Sequence, residues 1–438
     1  MQRRYHLKRC LSFLTAILFS VTICCTGCGT ILDPAADTAS SIASSGDNNV
    51  TTLNYYVWVD EVPYATTAAN AFNALHNNIK VCIRSLDNTG YEKQLDTVMN
   101  DTKTAVDLFG TKGMASTIQL VQKNRVLDIT DYIKDSIKDG SLNVTAYGTM
   151  FNSTLYQNRY YCLPSRSTCW ELYYNKTVFD RAGIPYPKQM TWDEYCDLAQ
   201  KLTSGSGKTK VWGGYWVDWI PSFIALQHGS YLTDDDLTYA RESLTLFNRL
   251  YNIDHSHVSY QEMISFPDPD HEVYRMFKAN KVAMVPQGEW MINDLISSNT
   301  DVDWDIAPMP IDPDESAGTT VGQYQFVNIA ASCAHPAEAF AFMKFLCGKD
   351  GAAIYAQNAI LPAYFDDNIA NEYLKATGKE SARIFLEARK YIEQPPVAGY
   401  QECLESFTTQ AESYFSGQIT LDEAMSGFEQ TRQAVYGK

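Results

Sequence analysis

Clusters able to carry chemistry are scarce in this sequence. Seven histidines are spread over 438 residues. The close pair among them, His255-Ser-His257, has no further ligand at metal spacing, so a surface loop is the expected setting. Asp234-Asp-Asp236 and the alternating Asp301, Asp303 and Asp305 lack the glycine and terminal glutamate of a calcium-binding EF-hand loop, and solvated acids are expected. No metal or other cofactor is implied. Eleven cysteines are present, but only seven follow Cys28, an odd number with no C-x-x-C spacing among them. That excludes a regular disulfide framework or zinc site, leaving at most a single bridge such as Cys162–Cys169. Basic residues are few: 35 Lys and Arg against 51 Asp and Glu give a net charge of −16. Nucleic-acid binding by counterion release needs the opposite balance. No internal repeat occurs, and no local motif fixes two carboxylates at the separation that glycoside hydrolysis requires.

Long apolar runs are missing too, except at the N-terminus. Arg3, Arg4, Lys8 and Arg9 precede an uncharged run from Leu11 to Cys25, the length of a signal-peptide core and short for a spanning helix. The run ends in Thr26-Gly27-Cys28, which resembles a bacterial lipobox, although Cys25 stands where an aliphatic residue is usual. Residues 1–27 are therefore expected to be a signal peptide and Cys28 a lipid anchor, at the extracytoplasmic face of the cell membrane. Cleavage removes four basic and no acidic residues, taking the net charge from −16 to −20. Residues 28–50, small and polar without periodicity, form a flexible tether.

The remaining chain exceeds what one core usually organises. It is rich in aromatic residues, with 28 Tyr and 8 Trp. β-Rich runs at 52–58, 80–85 and 105–109 alternate with helical stretches at 66–76 and 91–99, the pattern of an α/β unit with a largely parallel sheet. Ligands bind beyond the carboxyl ends of such strands, which brings Trp58, Asp60 and the turn after Phe109 to one candidate site. Thr191-Trp-Asp-Glu194 and Thr420-Leu-Asp-Glu423 have capping-box form and open helices. His335-Pro336 opens another, stopped by Gly348.

Three stretches taken together carry a family likeness. They are Leu163–Lys176 with Phe179–Pro185 and Thr191–Glu194, then Phe277–Val285 with Gly288-Glu-Trp290, then Phe326–Ala330 with His335–Phe340 and Phe345–Gly348. In this order they resemble the extracellular solute-binding proteins of ABC importers, family 1, in which sugar binders dominate. The resemblance implies a two-lobed α/β fold of the periplasmic-binding-protein type, with the ligand in a cleft between lobes. Lobe 1 would comprise 51–165 and 306–365, and lobe 2 166–305 and 366–438, with crossings near Pro164–Thr168 and Ala307–Pro310. It also implies a monomeric binder that performs no catalysis, with a small solute and the permease subunits of an ABC importer as partners.

A sugar presents hydroxyls and C–H faces, so its site needs flat aromatic surfaces and a few fixed polar groups. The ligand-binding candidates are accordingly Trp58 and Asp60, the cluster Trp216, Asp218 and Trp219, the pair Glu289 and Trp290, and Tyr324 and Tyr400. Trp216 and Trp219 lie three apart, so one can be buried while the other meets ligand. Polyamines form a rival ligand class, because Trp, Tyr and Asp also suit a polycation. An exported glycoside hydrolase is the alternative of a different class.

If Cys28 carries the lipid, Cys28→Ser moves the protein from the membrane fraction to the soluble fraction or blocks its processing. A normally processed variant that stays with the membrane contradicts the assignment.

Overall fold

The β-branched and aromatic run Thr51–Trp58 forms strand β1, and Ile79–Leu86 (β2) and Leu108–Thr111 (β3) flank it in parallel. These and the residues that follow come from a computed structural model, which describes residues 50–298 and 301–437. Cys28, the leader and the tether up to residue 49 lie outside the described residues. Two short strands, β4 (Leu155–Tyr156) and β5 (Arg159–Tyr160), make a hairpin. The chain then runs through β6 (Cys162–Ser167) straight into β7 (Trp170–Asn175). After β8 (Trp212–Gly214) and β9 (Val282–Gly288) come β10 (Trp304–Ala307), β11 (Thr319–Gly322), β12 (Tyr324–Ile329) and β13 (Arg389–Ile392).

Two main sheets result. The first has the order β2-β1-β3-β12-β6 and the second β10-β7-β9-β8. A largely parallel arrangement holds only for β1 to β3. Strand β12 joins β3 antiparallel and β6 joins β12 antiparallel, so β6 again runs with β1 to β3, and in the second sheet only β8 and β9 pair in parallel. Strand β12 alone in the first sheet runs against its neighbours. The segment 306–365 divides its contacts accordingly. Ala307 pairs with β7, Ile311 bonds to Trp192 and β11 pairs with β13, whereas β12 belongs to the first sheet.

Each sheet carries its own core. Leu53, Val57, Leu163, Phe326 and Phe342 pack in one, and Trp170, Tyr195, Phe223, Val285 and Phe407 in the other. Alternation along β1 sends Tyr55 and Tyr56 to opposite faces, into separate apolar clusters. Cys162 and Cys169 are free thiols in different cores, so the bridge left open by their spacing does not form. Desolvation pushes the Cys162 thiol above its ordinary range.

The helix signals correspond to real ends. Thr191 caps Trp192–Leu202: its side chain accepts from Glu194 N at 3.2 Å, and Thr191 N donates to the Glu194 carboxylate at 2.8 Å. Thr420 caps Leu421–Tyr436 in the same way. Pro336 begins the helix that ends at Cys347 before Gly348. His257 is a correction: it lies fully buried, not on a surface loop, with its Nε2 2.8 Å from the Tyr195 hydroxyl. Burial pushes its imidazole down to about 3, so it is neutral and works as a packing residue against Gly214. No group of three or more potential metal ligands occurs among the described residues, and none of their helices is long and apolar enough to cross a membrane.

Candidate functional site

Beyond the carboxyl ends of β1, β2 and β3 the chain turns through Trp58–Asp60, Asp87–Thr89 and Lys112, and all of these line a cleft of about 900 Å³. Asp218 and Trp219 after β8 and Trp290 after β9 line it from the second sheet. Arg166, Gln323, Gln325, Glu393, Gln394 and Tyr400 line it where the chain passes between the sheets.

The two walls are built alike around tryptophan. Trp58 closes over Gly110, where a Cβ would come within 2.9 Å of its ring, and meets Tyr91 edge-on at 5.5 Å. Trp290 closes over Gly288, where a Cβ would come within 2.1 Å. A side chain at either glycine would push the ring out, so close approach rather than turn geometry requires them. Trp290 Nε1 donates to the Tyr274 hydroxyl at 3.2 Å, and its ring stands edge-on to Trp170 at 5.4 Å. Trp219 meets the same Trp170 at 6.4 Å and remains 37% exposed. Trp170 itself is fully buried, a shared base for both cleft-facing rings.

Polar groups are held around these rings. Asn88 Nδ2 donates to the Asp60 carboxylate at 2.6 Å, and Lys112 Nζ donates to the Asn88 carbonyl at 3.1 Å. Glu393 accepts from Trp170 Nε1 at 3.1 Å, and Tyr400 donates its hydroxyl to the Glu393 carbonyl at 3.1 Å. Burial pushes the Glu393 carboxyl up to about 7.

At the back of the cleft Arg166 joins the sheets. Its guanidinium reaches Glu61, just after β1, at 2.6 Å and Glu289, just after β9, at 3.1 Å. All three side chains are buried. Desolvation pushes the Glu289 carboxyl up to about 7 against the pull of Arg166. Desolvation opposes the charge on Arg166 as well, yet the two carboxylates outweigh it and its pKa rises. Glu289 also accepts from Cys169 N at 3.2 Å.

Of the nine candidate residues, Trp58, Asp60, Asp218, Trp219, Trp290 and Tyr400 line the cleft. The other three do not. Trp216 is buried, stacked on Phe247 at 4.4 Å in the second core. Glu289 spends its carboxylate on Arg166 and Cys169 rather than on the cleft. Tyr324 points into the first core, where its hydroxyl donates to the Tyr147 carbonyl. Sequence reasoning missed Arg166, Gln325, Glu393 and Gln394. Strand alternation held the clue for Gln325: Tyr324 and Phe326 are apolar neighbours on the core face, which sends Gln325 to the other. Glu393-Gln394 sits between a short strand and Pro395, with no motif to mark it.

With this geometry in place, comparison with known proteins gives a consistent result. The model of the bacterial extracellular solute-binding protein family matches residues 58–353, and the chain belongs to that family. A binding protein of Brucella abortus is 21% identical over 411 residues, covering 91% of this chain and 95% of its own. The arabinooligosaccharide-binding protein of Halalkalibacterium halodurans is 24% identical over 173 residues, 38% of each chain. Among solved structures, an ABC substrate-binding protein of Listeria monocytogenes in complex with cycloalternan superposes with a TM-score of 0.76 at 22% identity. That likeness covers 89% of this chain and 99% of the other, and it shows the two-lobed fold.

The geometry separates Trp219 from Trp216 by experiment. Trp219→Ala removes a half-open ring, so the thermal unfolding midpoint shifts little, while affinity for any solute that the wild-type protein binds falls by about a hundredfold, the equivalent of about 3 kcal/mol. Trp216→Ala opens a core cavity and costs about 3–5 kcal/mol of stability, and its folded fraction binds normally. Calorimetry together with thermal melts reads both. A Trp219→Ala variant that binds like wild type contradicts the placement of the wall.

Proposed function

We propose that this member of the family captures a carbohydrate, a mono- or oligosaccharide, outside the cell and delivers it unchanged to the permease subunits of an ABC importer. The observation that carries this reading is the pairing of opposed aromatic walls, Trp58 on one side and Trp219 and Trp290 on the other, with carboxylates and amides between them. Rings of this kind cover the C–H faces of a sugar, and the polar groups accept its hydroxyls. The volume, about 900 Å³, lies towards the upper end of the usual range for small-molecule sites, about 300–1,000 Å³, which favours an oligosaccharide. The likeness to proteins named for arabinooligosaccharide and solved with cycloalternan supports the same class.

Closure of the two lobes supplies the mechanism. A solute that touches both walls makes more contacts in the closed arrangement and so stabilises it. The family is one of binding proteins, and the proposal includes no covalent step. The leader Arg3–Cys25 and Cys28 support lipid anchoring, which would keep the receptor beside its permease as a monomer on the extracytoplasmic face of the membrane.

A second reading has its own observation. Asp60, Asp87 and Asp218 line the cleft beside the aromatic rings, and acids with aromatics also suit a polyamine. A thermal-shift screen of residues 28–438 against maltose, mannotriose, arabinotriose, putrescine and spermidine distinguishes the two, because a ligand that binds only the folded state raises the midpoint as its concentration exceeds its Kd. The carbohydrate reading expects a shift of several degrees with at least one sugar, none with the amines, and recovery of the sugar intact by chromatography. A shift with spermidine alone contradicts that reading, and cleaved sugar contradicts the assignment as a binder.

A further inference from the structure

One corner of the cleft floor consists almost wholly of hydrogen-bond acceptors. Three segments meet there and hold one another in place. Thr168 N donates to the Gln323 carbonyl at 2.7 Å, Gln323 N donates to Thr168 Oγ1 at 3.0 Å, and Glu393 N donates to the Gly322 carbonyl at 3.1 Å. The Glu393 carboxylate takes Trp170 Nε1 at 3.1 Å and Gln323 Nε2 at 3.4 Å. The second of these bonds uses the amide N–H of Gln323 and so fixes which way its carbonyl faces. Gln323 Oε1 and Gln394 Oε1 are both buried and accept from no protein group.

Both oxygens close on the same small space. A Cβ built on Gly113 would stand 2.1 Å from Gln394 Oε1 and 2.9 Å from Gln323 Oε1, so the two oxygens can gather against residue 113 only because it has no side chain. Gln325 Oε1, also lining the cleft, is a third buried acceptor with no donor. Buried acceptors are costly to leave unmatched, and two beside a carboxyl group, with a third in the same cleft, call for a ligand rich in O–H donors.

The neighbouring cations are already engaged. Arg166 lies between Glu61 and Glu289. Lys112 Nζ is held by the Asn88 carbonyl and sits 5.7 Å from the Trp58 ring centre, and Lys390 Nζ donates to Ser167 Oγ at 3.1 Å. An anionic group placed in the corner itself would meet the Glu393 carboxyl and the glutamine oxygens first, none of which is hydrogen-bonded to a Lys or Arg.

We propose that the Gln323–Glu393–Gln394 corner is the specificity subsite of the cleft, taking an uncharged, hydroxyl-bearing end of a sugar and rejecting sugars that carry a carboxylate or phosphate there. The inference rests on the carbohydrate reading and narrows it to neutral sugars. Calorimetry with maltotriose, mannotriose and the same sugars oxidised to carboxylates at their primary hydroxyls tests it on wild type, Gln394→Ala and Gly113→Ala. Expected are binding of at least one neutral trisaccharide, at least a hundredfold weaker binding of its oxidised form, and about tenfold loss of neutral-sugar affinity in each variant. Thermal melts of the unliganded variants within a degree or two of wild type show that the loss arises at the subsite. An oxidised sugar that binds as well as its neutral parent, or two folded variants with undiminished affinity, overturns the inference while leaving the carbohydrate reading intact. No binding of either neutral trisaccharide to wild type, with spermidine bound instead, overturns both.

Discussion

A buried guanidinium with a carboxylate on each side is the constraint on which the cleft depends. Arg166 lies in β6 at the edge of the first sheet, Glu61 follows β1 of the same sheet and Glu289 follows β9, an inner strand of the second. Taking these charges out of water costs several kcal/mol per ion, and only their mutual pairing offsets it. Removing one partner would leave the others uncompensated, at a cost of about 3–5 kcal/mol. The pairing therefore ties the sheets together at one depth. Trp58 and Asp60 lie immediately before Glu61, and Trp290 immediately after Glu289, so the same ion triad sets where both aromatic walls begin.

From that frame the division of labour between tryptophans follows. Trp170 is wholly buried and carries Trp219 and Trp290 on its surface, while Trp216 fills the core behind, against Phe247. The wall rings are thus backed by packed side chains rather than by solvent, which limits the entropy lost when a ligand covers them. Glycines 110 and 288 let the rings fold down, Trp58 onto the neighbouring strand β3 and Trp290 onto the end of β9.

Much of this could be read from residues alone, and what could not has definite causes. Capping boxes at Thr191 and Thr420, and the Pro336 start, depend on neighbours three or four residues away, so local sequence marks them well. The strand ends that present Trp58 and Trp290 follow from β-rich runs and the rule for carboxyl ends. Trp216 and Trp219 are indistinguishable locally, and only packing against Phe247 buries the first. Glu289 is taken by Arg166, 123 positions earlier in the chain, a pairing that no spacing announces. His257 was expected on a surface loop because a lone polar pair usually lies there, but Tyr195 and the space at Gly214 draw it inside. Gln323 and Gln394 become a site only when two distant segments meet.

The proposed mechanism requires the two tryptophan walls to close on one solute. Small-angle scattering of residues 28–438, with and without a saturating neutral oligosaccharide, measures this directly. Closure on sugar gives a smaller radius of gyration in the bound state. A saturated protein whose radius of gyration is unchanged contradicts it.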